Sequence, residues 1–579
     1  MAIETLLSEF PPVSTEQWEH IIREKITGTE YASKLIWHPE EGLAVKPYYR
    51  ADDLAGLQFL DAAPGEFPFV RGARSTGDWR IREEINLVDP EDANRSARAA
   101  LAAGAEGIAF SQTKIENSED LATLLAGLHA NPLVFLGSEP GCVRLVMERL
   151  RTRPHGANIA TDLDPLADLD LSADLIRNAP DGFRPFAIHA EDLQEHAAGA
   201  LEEVGFALSA AVDFIAEMQE RGSSVDRVVY SMSFSFAMGP EFFIQIAKLR
   251  AFRLVWAKAV QSFGCSAERA RTFIHASTAH WNTTICDSEN NILRATSEAI
   301  SAVLGGADSI SISTFDESSR DNSRRLARNT QIILKQEALL SRVADPLGGS
   351  YLIEALTNSI ASKAWKLFQE LETAGGYREA SAAGVIASVL DKRMNSREEA
   401  VANRRRVLTG TNRFANASEQ ALDRVNKVHF RSVRRAAESF EQLRLRTEQF
   451  TKVSGVQPRI LLAEIGDPKM RYARSQFTAD FLACAGFVPD KCVFESAARI
   501  ADADAEVIVL CSSDAEYLSI AEQLMPVLKL HRSPAKIIIA GNPDTAEQLR
   551  NLGIVNFIHL RSNAIEVLGR IQQMIGIKD

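Results

Sequence analysis

Polar and ionisable side chains close three apolar segments of the chain, and their types could support acid–base chemistry. In chain order these residues are His189, Glu191, His275, Ser277, Thr278, Asp316 and Glu317. An imidazole can serve as a general acid or base, and a neighbouring carboxylate can tune its pKa. Alternatively, each histidine caps backbone groups at a strand end, and adjacent carboxylates point to opposite faces. We favour that structural alternative and keep His189 and His275 as candidate catalytic residues.

Two histidines, His275 and His280, lie close enough in sequence to suggest a metal site. A zinc site needs three or four protein ligands, and no third ligand follows nearby. The six cysteines are scattered and form no C-x-x-C pair, a pattern typical of a reducing compartment without structural zinc. We therefore expect no metal site.

The candidate residues must be positioned by β-then-α units that repeat from about residue 50 to 390. The predicted strands are 107–112, 132–137, 183–190, 227–236, 271–278 and 308–317, and 239–264 is a predicted helix. Such repetition favours a (β/α)8 TIM barrel, in which catalytic residues lie at the carboxyl ends of the strands. The α/β pattern thus predicts that the candidate residues at the strand ends share one site.

Shorter β-then-α units return from residue 456 onward. Their strands are RILLAEIG, KCVFES, EVIVLCSS, KIIIAGN and NFIHL, and such continuous apolar runs indicate strands buried on both faces. Five units predict a flavodoxin-like, doubly wound domain. The predicted divisions are an arm at 1–45, a barrel at 46–390, a helical linker at 391–455 and this domain at 456–579.

Charge and composition exclude several classes of function. A net charge of −13 argues against nucleic-acid binding, which depends on lysine and arginine. No apolar run is long enough to span a bilayer, and the first residues lack the pattern of a signal peptide, so we expect a cytoplasmic protein. The arginine-rich stretch 391–450 is interpreted as a solvated helical linker rather than a phosphate-binding patch.

The turn that follows the first strand of the second domain poses a question. A strand, turn and helix at this place usually bind a phosphate or cofactor. The turn at 465–471, IGDPKMR, has no histidine and no cysteine. P-loop, G-x-S-x-G, H-E-x-x-H and complete G-x-G-x-x-G motifs are also absent from the sequence.

Several long motifs resemble the methylmalonyl-CoA mutases, which are adenosylcobalamin-dependent carbon-skeleton isomerases. They are PGEFPFVRG (64–72), EFFIQIAKLRAFRLVWAK (241–258), NNILRATSEAISAVLGGADSISISTFDE (290–317), RLARNTQIILKQE (325–337) and DPLGGSYLIE (345–354). The resemblance implies a (β/α)8 barrel, a helical linker and a flavodoxin-like cobalamin domain. It also places a cobalt-binding histidine in the turn described above, within a D-x-H-x-x-G motif.

The cobalamin motifs of that family are altered in this chain. Arg471 lies at or near the position of the cobalt ligand, and a guanidinium has no lone pair to offer a metal. No histidine lies between His429 and His531. Ser512 and Ser513 follow Cys511 where the family has Ser-x-Leu, and Ala540-Gly541 replaces Gly-Gly. The resemblance therefore implies that adenosylcobalamin is not held by this chain.

The substrate motifs are altered as well. Ser277 stands where the family has a substrate-facing glutamine, and Gln194 aligns nearest its histidine, although His189 or His196 could take that place with a small gap. After RGARST (71–76) the chain passes through Trp79 straight to RIREE, without the family's longer segment and its tyrosine. Both active-site motifs of the barrel are thus expected to be degenerate.

These departures match the small (beta) subunit of heterodimeric bacterial mutases. The resemblance then implies a catalytic large (alpha) subunit as partner, which carries adenosylcobalamin and interconverts methylmalonyl-CoA and succinyl-CoA, while this chain has a structural role. One alternative is an active adenosylcobalamin-dependent acyl-CoA mutase that uses His189 or His275. Another is a CoA-ester-binding regulatory module.

Overall fold

Two parallel sheets organise the chain in the computed structural model. It describes residues 13–26, 30–128, 133–137, 139–152, 158–180, 183–316, 320–422, 434–530 and 536–578. The first sheet is a closed barrel with strand order β1 to β8, and the second is an open five-stranded sheet.

The barrel strands follow one another in chain order, and all neighbours are parallel. They are β1 Arg80–Ile85, β2 Gly107–Phe110, β3 Leu133–Leu136, β4 Asn158–Leu163, β5 Arg184–His189, β6 Met232–Met238, β7 Ile274–Thr278 and β8 Ser309–Ser311. Pairing of Arg80 with Ser309 and of Ile81 with Ile310 closes the barrel. The predicted (β/α)8 barrel is confirmed.

Helices surround the barrel and precede it. They are α1 Thr15–Lys25, α2 Glu30–Leu35, α3 Pro90–Ala102, α4 Ser118–Leu124, α5 Pro140–Thr152, α6 Leu169–Asn178, α7 Ala190–Glu195, α8 Ala200–Glu220, α9 Val225–Tyr230, α10 Phe242–Ser262, α11 Asn290–Leu304, α12 Arg320–Gln336 and α13 Tyr351–Thr373, with 3-10 turns at Ala51–Leu54 and Leu340–Arg342. Short polar caps start several of them: Asp89 accepts hydrogen bonds from the amides of Glu91 and Asp92 at the start of α3. α8, α10 and α13 pack against one another on one side of the barrel.

Two barrel strands were not predicted, and two predicted strands are partly wrong: of the strand predicted at 308–317, only Ser309–Ser311 is strand within the described residues. β1, RIREEI, is rich in charge, and β4, NIATDL, carries polar side chains, so neither looks like an apolar run. The predicted strand at 227–236 begins as helix α9, and only its second half is strand β6. Arg227 and Val228 belong to helix α9, which directly precedes strand β6.

The second sheet has strands β9 Ile460–Glu464, β10 Asp490–Val493, β11 Val507–Cys511, β12 Lys536–Ile539 and β13 Asn556–Phe557. Its order is β10-β9-β11-β12-β13, and every pair is parallel. β9 and β11 are fully buried on both faces, as predicted. β10 is exposed along its whole length, so that part of the prediction is wrong: β10 is the edge strand and one of its sides has no neighbour.

Two helices follow the barrel, α14 Tyr377–Ala382 and α15 Val385–Ala402, and α14 packs against α8. Helices then cover both faces of the second sheet: α16 Glu438–Ser454, α17 Pro468–Ala483, α18 Ala497–Ile500, α19 Tyr517–Leu528, α20 Ala546–Asn551 and α21 Ala564–Ile575. Alternate residues of β9 belong to different cores: Ile460 and Leu462 pack with α16, α17 and α21, whereas Leu461 and Ala463 pack with α18, α19 and α20. The first of these cores also includes Trp281 at the barrel mouth.

The arginine-rich linker is not solvated, and this prediction is wrong. The side chains of Arg397, Arg404, Arg435 and Arg444 are only 4–10% exposed. Each forms an ion pair with a carboxylate, for example Arg435 Nη2 with Glu441 Oε2 at 2.6 Å. A buried guanidinium is tolerated when it is paired in this way. The stretch 403–422 between α15 and the next described segment is also mostly non-helical.

The amino-terminal arm is described from residue 13, except for 27–29. No residue of α1 is buried, and Trp18 is 38% exposed although its ring lies 3.8 Å from that of Tyr48. Trp37, also exposed, forms an antiparallel bridge with Val45. Among the described helices, none combines the length and the apolar character needed to cross a bilayer.

Candidate functional site

A cavity of about 1120 Å³ opens at the carboxyl ends of the barrel strands. Because parallel strands present these ends together, the cavity collects the strand-end residues predicted from sequence. The candidates that line it are His189, Glu191, Gln194, His275, Ser277, Thr278, His280 and Asp316. Glu317 lies outside the described residues. The barrel has thus kept a substantial pocket.

His189 ends β5 in a network of charged and hydroxyl groups. Its Nδ1 lies 3.1 Å from Glu191 Oε1, and its Nε2 lies 3.1 Å from the carbonyl oxygen of Asp162. Burial alone would lower the pKa of His189, but the Glu191 carboxylate outweighs it and raises that pKa to about 10. The same attraction lowers the pKa of Glu191, which also accepts a hydrogen bond from Ser235 Oγ. His189 is therefore an imidazolium fixed by its own chain.

His275 lies in the same cavity and has the opposite charge behaviour. Its Nδ1 lies 2.8 Å from Ser309 Oγ and its Nε2 lies 3.2 Å from Ser311 Oγ. Burial lowers the pKa of His275 well below its ordinary value, and the positive charge of Arg82 lowers it further. His275 is therefore neutral, and both of its ring nitrogens have hydroxyl partners on the neighbouring strand.

The remaining predicted positions divide between the cavity and the scaffold. Gln194, on α7, is only 5% exposed. Its Oε1 has no hydrogen-bond partner among the described residues. Ser277 lines the cavity and is partly accessible. Thr278 Oγ1 accepts a hydrogen bond from the amide of Ser313, so it organises a turn. His196 follows α7, is exposed and does not line the cavity.

His275 and His280 both line the cavity. His275 uses both nitrogens on serine hydroxyls. Across the described ranges, no group of three or more histidine, cysteine, aspartate or glutamate side chains is placed to hold a metal ion.

Sequence reasoning missed the polar residues of β1 and β4. The Arg82 guanidinium lies 4.0 Å from the ring centroid of Phe135, and its Nη2 is 3.8 Å from Asp162 Oδ2. Burial raises the pKa of Asp162, although Arg82 and His189 partly counter it. Ser311 Oγ lies 3.3 Å from Glu84 Oε1. The alternation of charged and apolar residues in RIREEI was the signal that could have identified β1 as a strand with a polar inner face.

A second site was predicted at the carboxyl edge of the five-stranded sheet, where the resemblance places the cobalamin tail. All the altered positions lie at this edge: Arg471, Ser512, Ser513, Ala540 and Gly541. α17 begins there with Asp467, whose Oδ1 accepts a hydrogen bond from the amide of Met470. Arg471 Nη1 donates to the carbonyl oxygen of Gly466 at 3.3 Å.

Side chains of this chain occupy that edge. Glu516 accepts hydrogen bonds from Ser512 Oγ at 2.7 Å and from Ser513 Oγ at 2.6 Å. These two hydroxyls, with backbone amides, lower the pKa of Glu516 to about 2 despite the opposing effect of burial. Tyr517 is fully buried, accepts from the amide of Ser512 at 3.1 Å and donates to the carbonyl oxygen of Ala540 at 2.7 Å.

The glycines at this edge also face protein rather than open space. A Cβ on Gly541 would lie 2.9 Å from Asp514 Oδ1, and a Cβ on Gly466 would lie 2.5 Å from Glu516 Oε2. Cobalamin needs a neutral nitrogen donor for cobalt and a slot for its nucleotide tail. Arg471 supplies no such donor, and Glu516 and Tyr517 hydrogen-bond to Ser512, Ser513 and Ala540 across this edge. The residues at this edge therefore do not fit the cofactor.

Comparison with known proteins gives a consistent relationship. The methylmalonyl-CoA mutase family model matches residues 38–116 and 167–454. The chain is 33% identical to the methylmalonyl-CoA mutase small subunit of Porphyromonas gingivalis, with 99% of each chain covered. It is 28% identical to the small subunit from Streptomyces virginiae over 99% of this chain and 98% of that protein. The large subunit from the same species is 29% identical, with 76% of this chain and 67% of that protein covered. The chain belongs to the methylmalonyl-CoA mutase family.

Proposed function

We propose that this chain is the non-catalytic small subunit of a heterodimeric methylmalonyl-CoA mutase. Its partner is a large subunit that carries adenosylcobalamin and interconverts methylmalonyl-CoA and succinyl-CoA. The role of this chain in the complex is structural. The match to small subunits along almost the whole chain supports this assignment.

The observation that carries the proposal is the filled edge of the five-stranded sheet. Its strand order, counted from β9, is 2-1-3-4-5, the order of flavodoxin-type domains, and such domains bind ligands at this edge. Here the edge presents Arg471 where a cobalt ligand is needed, and Tyr517 is buried in the place of the nucleotide tail. We therefore assign residues 456–579 to a degenerate cobalamin-binding-type domain, after a barrel at 46–390 and a linker at 391–455.

The charge of the barrel cavity also favours a non-catalytic role. Among the described lining residues, nine are aspartate or glutamate and five are arginine, and none is lysine. A methylmalonyl or succinyl thioester carries a carboxylate, and coenzyme A adds phosphate groups. An excess of carboxylates over guanidinium groups in the lining disfavours such a polyanion. The imidazolium of His189 offsets one of these carboxylates, Glu191, and leaves an acidic excess.

Co-expression with a large subunit tests the proposal directly. The expected product is a one-to-one complex with mutase activity, in which the cobalamin absorbance stays with the large subunit after the chains are separated. Substitution of Ser277 or His189 in this chain should leave kcat of the complex unchanged, because neither residue is expected to touch the substrate. A small chain that retains the corrin would contradict the proposal.

The arm at 1–45 is the segment we propose to wrap the partner. α1 has no buried residue, and Ile21 is 54% exposed beside the partly exposed Trp18. Apolar side chains in this state gain free energy when a partner covers them. Deletion of residues 1–26 should weaken co-elution with the large subunit, whereas Lys25→Ala, on the same helix, should not. Co-elution that survives the deletion would remove this part of the proposal.

The retained cavity keeps two other functions open to test. An active mutase would bind adenosylcobalamin without an axial histidine, and a CoA-ester-binding module would bind the thioester as an isolated chain. Titration with adenosylcobalamin followed by visible absorbance, and with succinyl-CoA followed by calorimetry, distinguishes them. We expect no spectral change and no heat of binding, because the edge is filled and the cavity is acidic.

A further inference from the structure

The Glu40 carboxylate of the amino-terminal segment forms ion pairs with two arginines of the linker. Glu40 lies in the turn between Trp37 and Val45, whose backbone groups hydrogen-bond to each other at 3.0 and 2.9 Å. Glu40 Oε2 lies 2.7 Å from Arg397 Nε, and Glu40 Oε1 lies 2.5 Å from Arg406 Nη1. The two arginines belong to α15 and the stretch that follows it. One carboxylate thus binds two linker cations at once.

The same arginines are tied to the barrel. Arg406 Nη2 lies 2.7 Å from Glu241 Oε1 at the start of α10. Arg397 Nη2 donates to the carbonyl oxygen of Ala198 at 3.2 Å, and its guanidinium lies 5.8 Å from the Trp281 ring. Glu40 therefore completes a bridge between the amino-terminal segment, the linker and the barrel.

A third arginine reinforces this contact. Arg393, one turn before Arg397 on α15, pairs with Glu202 Oε1 at 2.7 Å and donates to the carbonyl oxygen of Glu40. Arg397 and Glu202 are less than 10% exposed on their side chains, and Arg406 is 14% exposed. Water screens these pairs poorly, so their free energies exceed those of surface ion pairs. Burial would raise the pKa of Glu40, but Arg406 and Arg397 lower it, so Glu40 is charged at neutral pH.

Beyond Arg397 and Arg406, the linker crosses the loop between β7 and α11 at the barrel mouth. Arg294 Nη2 donates to the carbonyl oxygen of Thr409 at 2.6 Å, and the amide of Asp287 donates to Glu419 at 2.9 Å. A few residues earlier, Arg404 pairs with Asp480 of α17 in the second domain. The linker therefore reaches the mouth and the second domain directly after its contact with Glu40.

We propose that Glu40 is a latch that holds the linker against the barrel mouth. When the latch is closed, the stretch 403–419 keeps its hydrogen bonds to Asp287 and Arg294, and the second domain is kept in place through Asp480. When the latch opens, Arg397 and Arg406 lose a shared partner, and these hydrogen bonds of the linker become easier to break. This inference concerns the isolated chain and does not depend on the proposed partner.

Hydrogen–deuterium exchange of the full chain tests the latch. In Glu40→Gln, peptides from 279–294 and from 403–419 should exchange at least tenfold faster, while a peptide from β11 keeps its protection. Glu370→Gln is the matched control, because Glu370 forms an exposed pair with Lys366 on α13. Its exchange should equal that of the wild type.

A milder variant guards against loss of folding. Glu40→Asp keeps the charge but shortens the side chain, so it can reach only one of the two arginines. It should give an exchange rate between those of the wild type and Glu40→Gln in the same two peptides. Unchanged protection of both peptides in a folded Glu40→Gln or Glu40→Asp chain would overturn the proposal, as would equal acceleration in β11.

Discussion

The barrel mouth and the carboxyl edge of the five-stranded sheet are equivalent places in two α/β units, yet they differ in content. The mouth encloses a cavity of about 1120 Å³ lined by paired polar groups. At the sheet edge, Glu516 and Tyr517 fill the corresponding place and hydrogen-bond to Ser512, Ser513 and Ala540. Both regions pair most of these polar groups within the chain, although Gln194 Oε1 at the mouth has no partner among the described residues. Only the barrel keeps its hollow.

The difference follows from how each place is built. The wall of a closed barrel fixes the distance between strand ends, and the side chains that line it in this chain leave a cavity. At the edge of an open sheet the space depends on the loops, and Tyr517 is buried there. The two places therefore differ in how much space their side chains leave.

The largest effect is expected from the ion pair behind the cavity wall. Lys248 Nζ lies 3.0 Å from both Glu203 oxygens and donates to the carbonyl oxygen of Ala237, which lines the cavity. Lys248→Met leaves a buried carboxylate without its cation and should lower the free energy of unfolding by about 3–5 kcal/mol. Equilibrium unfolding in guanidinium chloride measures this change in the free energy of unfolding.

The control is Lys366→Met, since the Lys366 side chain is 78% exposed and pairs only loosely with Glu370 at 3.8 Å. Its cost should stay below about 0.5 kcal/mol. A similar cost for both variants would mean that the barrel wall does not rely on this pair.

A smaller effect is expected at the sheet edge. Tyr517→Phe removes the hydroxyl that joins the amide of Ser512 to the carbonyl of Ala540 and leaves both buried groups unpaired. The loss should be about 1–3 kcal/mol, with faster amide exchange at 511–513. Tyr472→Phe, at a site 61% exposed, should change neither quantity. Equal exchange in the two variants would show that the edge is not held by this hydroxyl.

The two cavity histidines should respond oppositely to pH. The pKa of His189 is raised above its unfolded value to about 10, so its contribution to stability is complete below about pH 6.5 and is lost as the pH rises toward 10. The difference in unfolding free energy between wild type and His189→Gln should therefore shrink, on the order of 1 kcal/mol, between pH 6.5 and 10.

For His275 the sign is reversed. Its pKa is lowered, so the folded state gains stability relative to the unfolded chain as the pH rises toward 6.5, and the gain is complete above that value. Urea unfolding of His275→Gln between pH 5 and 7 should show a difference from wild type that grows with pH. Parallel pH profiles for the two variants would contradict the assigned charges.

The smallest effect is expected from restoring a single imidazole. Arg471→His offers cobalt a nitrogen ligand, but Glu516 and Tyr517 still occupy the edge. The visible spectrum of adenosylcobalamin should be unchanged when this variant is added. The matched test is Arg471→His combined with Tyr517→Ala. Binding of adenosylcobalamin by Arg471→His alone would show that the edge is open to the cofactor.

Strands with apolar runs were predictable from sequence, and the two strands with several charged or polar residues, β1 and β4, were not. GIAF and LVFL were identified as runs of apolar residues, and they form β2 and β3. β1 directs Arg82 and Glu84 into the cavity, and β4 contributes Asp162. Their polar residues remove the apolar signal, so local sequence patterns missed these two strands although they identified β5 and β7 of the same barrel.

The linker shows a second limit of sequence reasoning. Arginines in 391–450 were predicted to be solvated, but several of them pair with carboxylates that are distant in the sequence. Glu40 and Glu241, the partners of Arg406, lie 366 and 165 positions away in the chain. At the sheet edge, Ser512 and Ser513 were singled out from sequence, but their hydrogen bonds to Glu516 depend on the folding of the loop that carries them.

One hydrophobic core contains Trp281 at the barrel mouth, Phe440 and Leu443 of α16, and Ile460 of β9. The chain therefore cannot be cut at residue 455 without exposing part of this core. A product that stopped there would leave an indole and two large aliphatic or aromatic side chains facing water. Proteases and chaperones recognise such surfaces. A premature stop codon beyond the barrel would then abolish the whole protein and would not leave a working half.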